Sequence, residues 1–165
     1  MNLLARYGIM ASQSDGLTYL YNEGDEITAL TGGWNNKVYA TYGSGGSFTK
    51  YATTIKSVGS TSLSSGECGV SHVTAVNFAP YSKLCIDVTS AVKSTYGPYA
   101  QAFGIRIMSG NLGNIWSSTL YIGASSVPIT GVYELDISSV TATAFLSILG
   151  YAGSGQITFG KVWLE

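Results

Sequence analysis

The chain contains one histidine, His72, and two cysteines, Cys68 and Cys85. Any hydrolytic triad would have to use His72 as its base, with a nucleophile and an orienting group within hydrogen-bond reach. Cys68 stands four residues earlier. On one strand the two would share a face yet lie about 13 Å apart, at roughly 3.3 Å per residue. The spacing therefore predicts a histidine on a strand rather than a catalytic base. Zinc takes four nitrogen, sulfur or oxygen ligands, normally in spaced pairs, and one His with two unclustered Cys does not supply them. There is no P-loop and no glycine fingerprint between a strand and a helix, so nucleotide chemistry is not indicated. Cys68 and Cys85 are 17 residues apart, a separation that suits neighbouring strands. The pair reads either as two buried, reduced thiols or as one bridge formed outside the cell.

Carboxylates are the next candidates. Glycoside cleavage needs two of them facing each other across a cleft, about 5 to 9 Å apart. Glu134 and Asp136 alternate along one strand face with Cα atoms about 6.7 Å apart, but any solvent-facing strand produces that spacing. Asp136 also precedes Ile137-Ser138-Ser139, as a turn cap would. A second acidic stretch, Tyr21-Asn22-Glu23-Gly24-Asp25-Glu26, holds three of the nine acids. Calcium takes roughly six to eight oxygens. Glu23 and Asp25 offer part of such a set, and Glu165 adds another if the ends of the fold meet. The alternative is a solvated turn after the first strand.

Aromatic residues carry the remaining chemistry. Sugar rings present C–H faces that stack on aromatic rings, and their hydroxyls pair with Asn, Ser and backbone groups. Trp34 in TGGWNN, Tyr96 and Tyr99 around Gly97-Pro98, and Trp116 with Asn114 in SGNLGNIW are the candidate ligand-binding residues. The competing reading packs each ring into the end of a core.

Composition narrows the partners. Charged residues make up 10% of the 165 residues, against about 25% in an ordinary soluble domain. The 22 Ser and 16 Thr must wet the surface instead. Disorder goes with few aromatics and high net charge, whereas here aromatics are 12% and the formal net charge is -1. A membrane-spanning helix needs about 18 or more apolar residues in a row, and no stretch approaches that. Scattered basic residues, with Lys50 and Lys56 the nearest to a patch, give no footprint for a phosphate backbone. Nucleic acid and a membrane span are both excluded as expectations. Residues 1–16 read as a lead-in continuing from an upstream part of a larger polypeptide, ending in the turn signal Ser14-Asp15-Gly16. They lack the parts of a secretory signal.

Period-two alternation positions these residues. LTYLYN sets Leu17, Tyr19 and Tyr21 on one side, and NKVYATY groups Val38, Ala40 and Tyr42. SFTKYATTIKSV reads as one run, with Phe48, Lys50, Ala52, Thr54 and Lys56 opposite Tyr51 and Ile55. VSHVTAVNF aligns Val70, His72, Val76 and Phe78. SKLCIDVT sets Leu84, Ile86 and Val88 against Cys85, Asp87 and Thr89, and AFGIRIM aligns Phe103, Ile105 and Ile107. In VYELDIS, Tyr133, Leu135 and Ile137 share a face. ATAFLSILGY is apolar on both faces, as a central strand would be. ITFGKVWLE sets Val162 and Leu164 opposite Phe159 and Trp163. Gly-rich segments separate the runs. Residues 81–96 are long enough for a helix, but their β-branched content favours a strand. About ten short strands between turns describe one all-β domain over residues 17–165, an antiparallel β-sandwich or barrel.

Three stretches, LYNEGDEITALTGGW (20–34), YSKLCIDVTS (81–90) and VYELDISSVTATAFLSILGYAGSGQITFGKVWLE (132–165), carry a resemblance. Together they resemble the β-sandwich modules of minor structural and tail-associated proteins of prophages in gut Firmicutes. The resemblance implies a jelly-roll of the galactose-binding-like type, part of a larger phage or surface polypeptide on a virion or cell surface. It also implies a structural calcium joining the loop after the first strand to an acid near the last, here Glu23 or Asp25 with Glu165. The Asp-Gly loop of sugar-binding relatives is replaced by Glu23-Gly24.

The expectation is a non-catalytic binding or structural module that recognises glycan such as a cell-surface polysaccharide, with no required cofactor. Two rivals stand beside it: a purely architectural spacer or oligomerisation element, and a β-sandwich glycosidase or lyase. One sandwich hosts all three.

Overall fold

The computed structural model describes residues 17–26, 34–38, 47–60, 68–72, 75–95, 101–109, 114–121, 130–151 and 153–165. Alternation over Val, Ile, Thr and aromatic residues produces strands, and no helix occurs among the described residues. The strands in chain order are β1 (Thr18–Asn22), β2 (Asp25–Glu26), β3 (Trp34–Val38), β4 (Ser47–Lys50), β5 (Ile55–Val58), β6 (Cys68–His72) and β7 (Val76–Asn77). They continue as β8 (Lys83–Val92), β9 (Gln101–Met108), β10 (Asn114–Tyr121), β11 (Gly131–Asp136), β12 (Thr143–Gly150) and β13 (Gln156–Leu164). The lead-in, Tyr96 and Tyr99 lie outside the described residues.

The first sheet has the order β11-β8-β13-β1-β2, and the β4–β5 hairpin joins it through β5. The second runs β10-β9-β12-β6-β3, with β7 paired to β12. Every pairing described is antiparallel. β13 is the hub of the first sheet. β8 lies along one side of it; on the other, β5 meets Gln156–Phe159 and β1 meets Lys161–Leu164.

One core lies between the sheets, giving a sandwich-like architecture. Leu20, Ile55, Leu84, Ile86, Val88, Phe159, Val162 and Leu164 of the first sheet meet Phe103, Ile105, Ile107, Ala144, Leu146 and Ile148 of the second. Each fully buried aliphatic or aromatic side chain contributes about 1.5–3 kcal/mol. The buried Ser57 hydroxyl crosses between sheets and donates to the Ile148 carbonyl at 3.0 Å. The two-sided reading of β12 holds: Ala144, Leu146 and Ile148 enter the core, while Ser147 and Leu149, pointing the other way, are also fully buried.

Three sequence expectations change. The single run over 47–58 is a hairpin. Tyr51 N donates to Thr54 O at 2.8 Å, and Lys50 pairs with Ile55. Secondly, strict alternation fails in β1, where Tyr19 pairs with Trp163 but Tyr21 with Val162. Leu20 is the extra residue of a bulge, so Leu20 and Tyr21 are both buried and Tyr19 stands on the opposite face. Thirdly, Phe159 pairs with Val88 and Lys161 with Asp87, leaving Gly160 as a bulge in β13. Phe159 thereby joins Val162 and Leu164 in the core, edge-on to Tyr21 at 6.0 Å, and Trp163 alone of that pair faces out.

Candidate functional site

The two bulges create the surface with the most chemistry. Residues directly opposite on paired strands share a face, so the registers define cross-strand rows on the outer side of the first sheet. One row runs Glu134 (β11), Cys85 (β8), Trp163 (β13) and Tyr19 (β1). The next pairs Asp136 with Lys83, beside Glu165 at the end of β13. The third carries Val132, Asp87 and Lys161.

Trp163 and Tyr19 form an aromatic pair with ring centroids 6.1 Å apart and planes tilted by 41°. Both rings are half-buried, and neither belongs to the core cluster. The Trp163 indole N–H donates to Glu165 Oε1 at 2.9 Å, which fixes the ring. Backbone bonds hold Glu165 in turn. Its N–H donates to Lys83 O at 3.1 Å, and its carbonyl accepts from Ser82 N at 2.7 Å and Lys83 N at 3.0 Å.

Charge surrounds the pair. Lys83 Nζ lies 2.9 Å from Glu134 Oε2 and 3.8 Å from Glu165 Oε2. The hydrogen bond to Glu134 is the main reason the Lys83 ammonium is held above its ordinary pKa, with Glu165 adding to it. On the far side, Lys161 Nζ is 3.1 Å from Glu23 Oε1, and this contact likewise raises the lysine pKa. Beneath them Cys85 is fully buried, its Sγ 3.8 Å from Glu165 Oε1. Burial first, then the Glu165 and Glu134 charges, push its thiol up to about 12. That is an inert thiol, not a nucleophile. At the β11 edge a groove of about 460 Å³ is lined by Ser82, Lys83, Glu134, Leu135, Asp136 and Ser138.

Asp136 caps the turn after β11, as its position implied. Its Oδ1 accepts from Ser138 Oγ at 2.6 Å and Ser138 N at 2.9 Å, and these bonds hold its carboxyl below the usual pKa. Glu134 is occupied by Lys83. The two carboxylates named for glycoside chemistry therefore each have a partner already.

The sequence-named residues are dispersed. Trp116 does not sit in a loop: it lies within β10, opposite Ile107, half-buried and packed against the core. The reason is the strand register, which turns position 116 toward the same side as the buried Ile107. Asn114 opens β10. Trp34 is the first residue of β3 and pairs with His72 of β6, again a strand position rather than a loop tip. These residues belong to the second sheet and are not brought together with the Trp163 surface. His72 and Cys68 share β6, four residues apart, the case in which their spacing along the strand keeps them from touching. Cys68 and Cys85 fall in different sheets rather than on neighbouring strands, and Cys85 is a free thiol.

The proposed calcium partners separate as well. Glu23 sits in the turn after β1, its N–H donating to Gly160 O at 2.8 Å. Glu165 is five residues further along the chain, about 16 Å by strand rise, and is held by Trp163 and Lys83. Asp25 is in β2, opposite Asn22. Among the described residues no group of three or more His, Cys, Asp or Glu side chains gathers to hold a metal. No described helix is long and apolar enough to cross a membrane.

Sequence reasoning missed Tyr19 and Trp163 as a pair. The available signal was Gly160, an isolated glycine inside a strand pattern, which marks a bulge. Searched against known proteins, the chain matches no protein-family model and no curated protein.

Proposed function

We propose that this chain is a non-catalytic recognition module that binds glycan on the outer face of its first sheet. One observation carries the reading: the Tyr19–Trp163 pair lies on an open sheet face, ringed by Lys83, Glu134, Glu165 and Lys161. Aromatic rings stack on the C–H faces of sugars, and fixed charged groups around them serve sugar hydroxyls with hydrogen bonds of the stronger, charge-assisted kind. The reading needs no metal or cofactor. Screening the protein against a glycan array and cell-wall polysaccharides tests it. At least one polysaccharide is expected to bind, and Trp163→Ala is expected to abolish that binding.

Strand order supports the finer jelly-roll reading. Taking β1, β6, β8, β9, β10, β11, β12 and β13 as strands one to eight, the sheets run 6-3-8-1 and 5-4-7-2. That is the interleaved order of two Greek keys folded together. The resemblance of residues 132–165 to prophage tail modules supports a place in a larger virion or cell-surface polypeptide. An architectural role is the second reading, favoured by Val132, 53% exposed on the edge strand β11. It requires self-assembly, which light scattering detects.

A further inference from the structure

β11 is an open sheet edge, and its backbone determines what can close it. Lys83 N donates to Glu165 O at 3.0 Å and Glu165 N to Lys83 O at 3.1 Å, so Lys83 turns its backbone groups toward β13. Leu84, Ile86 and Val88 alternate with it and turn theirs toward Leu135, Tyr133 and Gly131 of β11. The N–H and C=O groups of Val132, Glu134 and Asp136 therefore point off the sheet, and among the described residues no strand pairs with them. The other described edges are blunted. β2 and β7 are two residues long, β3 and β4 carry Lys37 and Lys50, and β10 has two register shifts against β9. Short strands, lysines and bulges are the devices that keep edges from pairing. β11 has none of them: its six residues pair one to one with β8, it holds no Pro or Lys, and Val132 is 53% exposed. Its two acids are already engaged, Glu134 by Lys83 and Asp136 by Ser138.

We infer that β11 is the interface between two copies of this chain, paired antiparallel about a two-fold axis at Val132. A copy of β11 presents outward N–H and C=O groups at the matching spacing, so one pairing closes both edges and stops the assembly at two. Outward residues must face outward residues, which leaves registers centred on Val132, Tyr133 or Glu134. Centring on Glu134 opposes the two Glu134 carboxylates directly, and centring on Tyr133 sets them on a diagonal at about 7–8 Å; like charges so placed repel. Centring on Val132 brings the two exposed valines together and separates the two Glu134 residues by about 13 Å along the strands. It also sets Tyr133 opposite the partner's Gly131, a position where even an added Cβ would meet nothing within 4 Å. Such a dimer goes beyond the glycan reading; it rests on the architectural one, for which it names the surface that assembles.

One short edge buries less than a standard interface, so the dimer is expected to be weak, with a Kd of about 10–100 µM. Sedimentation velocity from about 5 to 500 µM tests it. The parent is expected to pass from monomer to dimer and no further. Val132→Lys, which puts a lysine on the edge at an exposed position, is expected to stay monomeric throughout with an unchanged circular-dichroism spectrum. Mild oxidation is expected to crosslink Val132→Cys into a dimer, its two Cα atoms lying about 5.5 Å apart, and to leave Glu134→Cys uncrosslinked. The parent, oxidised alongside, accounts for the native Cys68 and Cys85. A crosslink through Glu134→Cys instead of Val132→Cys overturns the two-fold edge. Assembly that persists undiminished in Val132→Lys overturns it too, but leaves the architectural reading standing on another surface. A parent that stays monomeric at the highest concentration overturns both.

Discussion

At Cys85 a small side chain has its chemistry set by what covers it. The thiol is fully buried beside Glu165 and its pKa rises from 9.0 to about 12. The folded state therefore keeps this proton between those values while the unfolded chain loses it. Stability linked to Cys85 is whole below pH 9 and declines as pH rises toward 12, by at most about 1.4 kcal/mol per unit. Denaturant midpoints at pH 8 and pH 10.5 check this: the parent is expected to lose more stability than Cys85→Ala over the interval. Asp136 has the opposite sign. Its carboxyl is held below the ordinary value by Ser138, so its contribution is present at neutral pH and fades as the solution becomes acidic. Asp136→Asn is expected to melt below the parent at pH 7, and the gap is expected to narrow as the pH falls below the ordinary carboxylate range. Asp136 as a turn cap was legible from the residues that follow it. The partner of Cys85 was not, because alternation tells which face a residue takes but not which strand lies beside it.

Among the elements, the segment linking β12 to β13 has the least tolerance. Gly59 N donates to Gly155 O at 2.8 Å, and Ser154 N to Ser60 O at 2.9 Å, so two backbones run in contact. A Cβ at Gly59 would sit 1.9 Å from Tyr151 O, and one at Gly150 would sit 2.3 Å from Gly155 O. Tyr151 O accepts from Gly155 N at 2.9 Å and Gly155 O from Gly59 N, so neither oxygen can retreat without breaking its bond. Gly59→Ala and Gly150→Ala are each expected to cost about 3 kcal/mol or more, read as a loss of the cooperative melting transition. Gly160→Ala is the contrast: its nearest neighbour would be Thr89 Cγ2 at 3.6 Å, an ordinary contact, and the variant is expected to melt within a few degrees of the parent. Stretches of regular alternation, such as Leu84–Val88 of β8, Phe103–Ile107 of β9 and β11, were readable from sequence because one face packs on the core. The bulges at Leu20 and Gly160 were not, since one extra residue reverses every side chain beyond it while leaving the local pattern intact. The 51–54 turn escaped for another reason. Its Tyr-Ala-Thr-Thr sequence lacks the Gly, Asn or Pro that marks most hairpins.

For the molecule as a whole, the all-β, two-sheet architecture followed from composition and period, but the location of the site did not. Loops rich in Gly and Asn drew attention to Trp34 and Trp116, yet both are strand residues of the second sheet, and Trp116 packs on the core. Trp163 became a surface residue only through a long-range register, β13 against β1 and β8, that no local pattern encodes. The two tryptophans differ in role: Trp116 packs on the core, whereas Trp163 is the residue proposed to meet the ligand. Measuring Trp116→Ala and Trp163→Ala side by side, for melting temperature and for affinity to the best polysaccharide on the array, tests this most directly. Trp116→Ala is expected to lose about 2 kcal/mol of stability, as a half-buried ring should, while its folded fraction still binds. Trp163→Ala, which removes a ring that is half-buried as well and bonded to Glu165, is expected to lose a similar amount of stability, while its folded fraction binds no polysaccharide. Undiminished binding by Trp163→Ala would contradict the account.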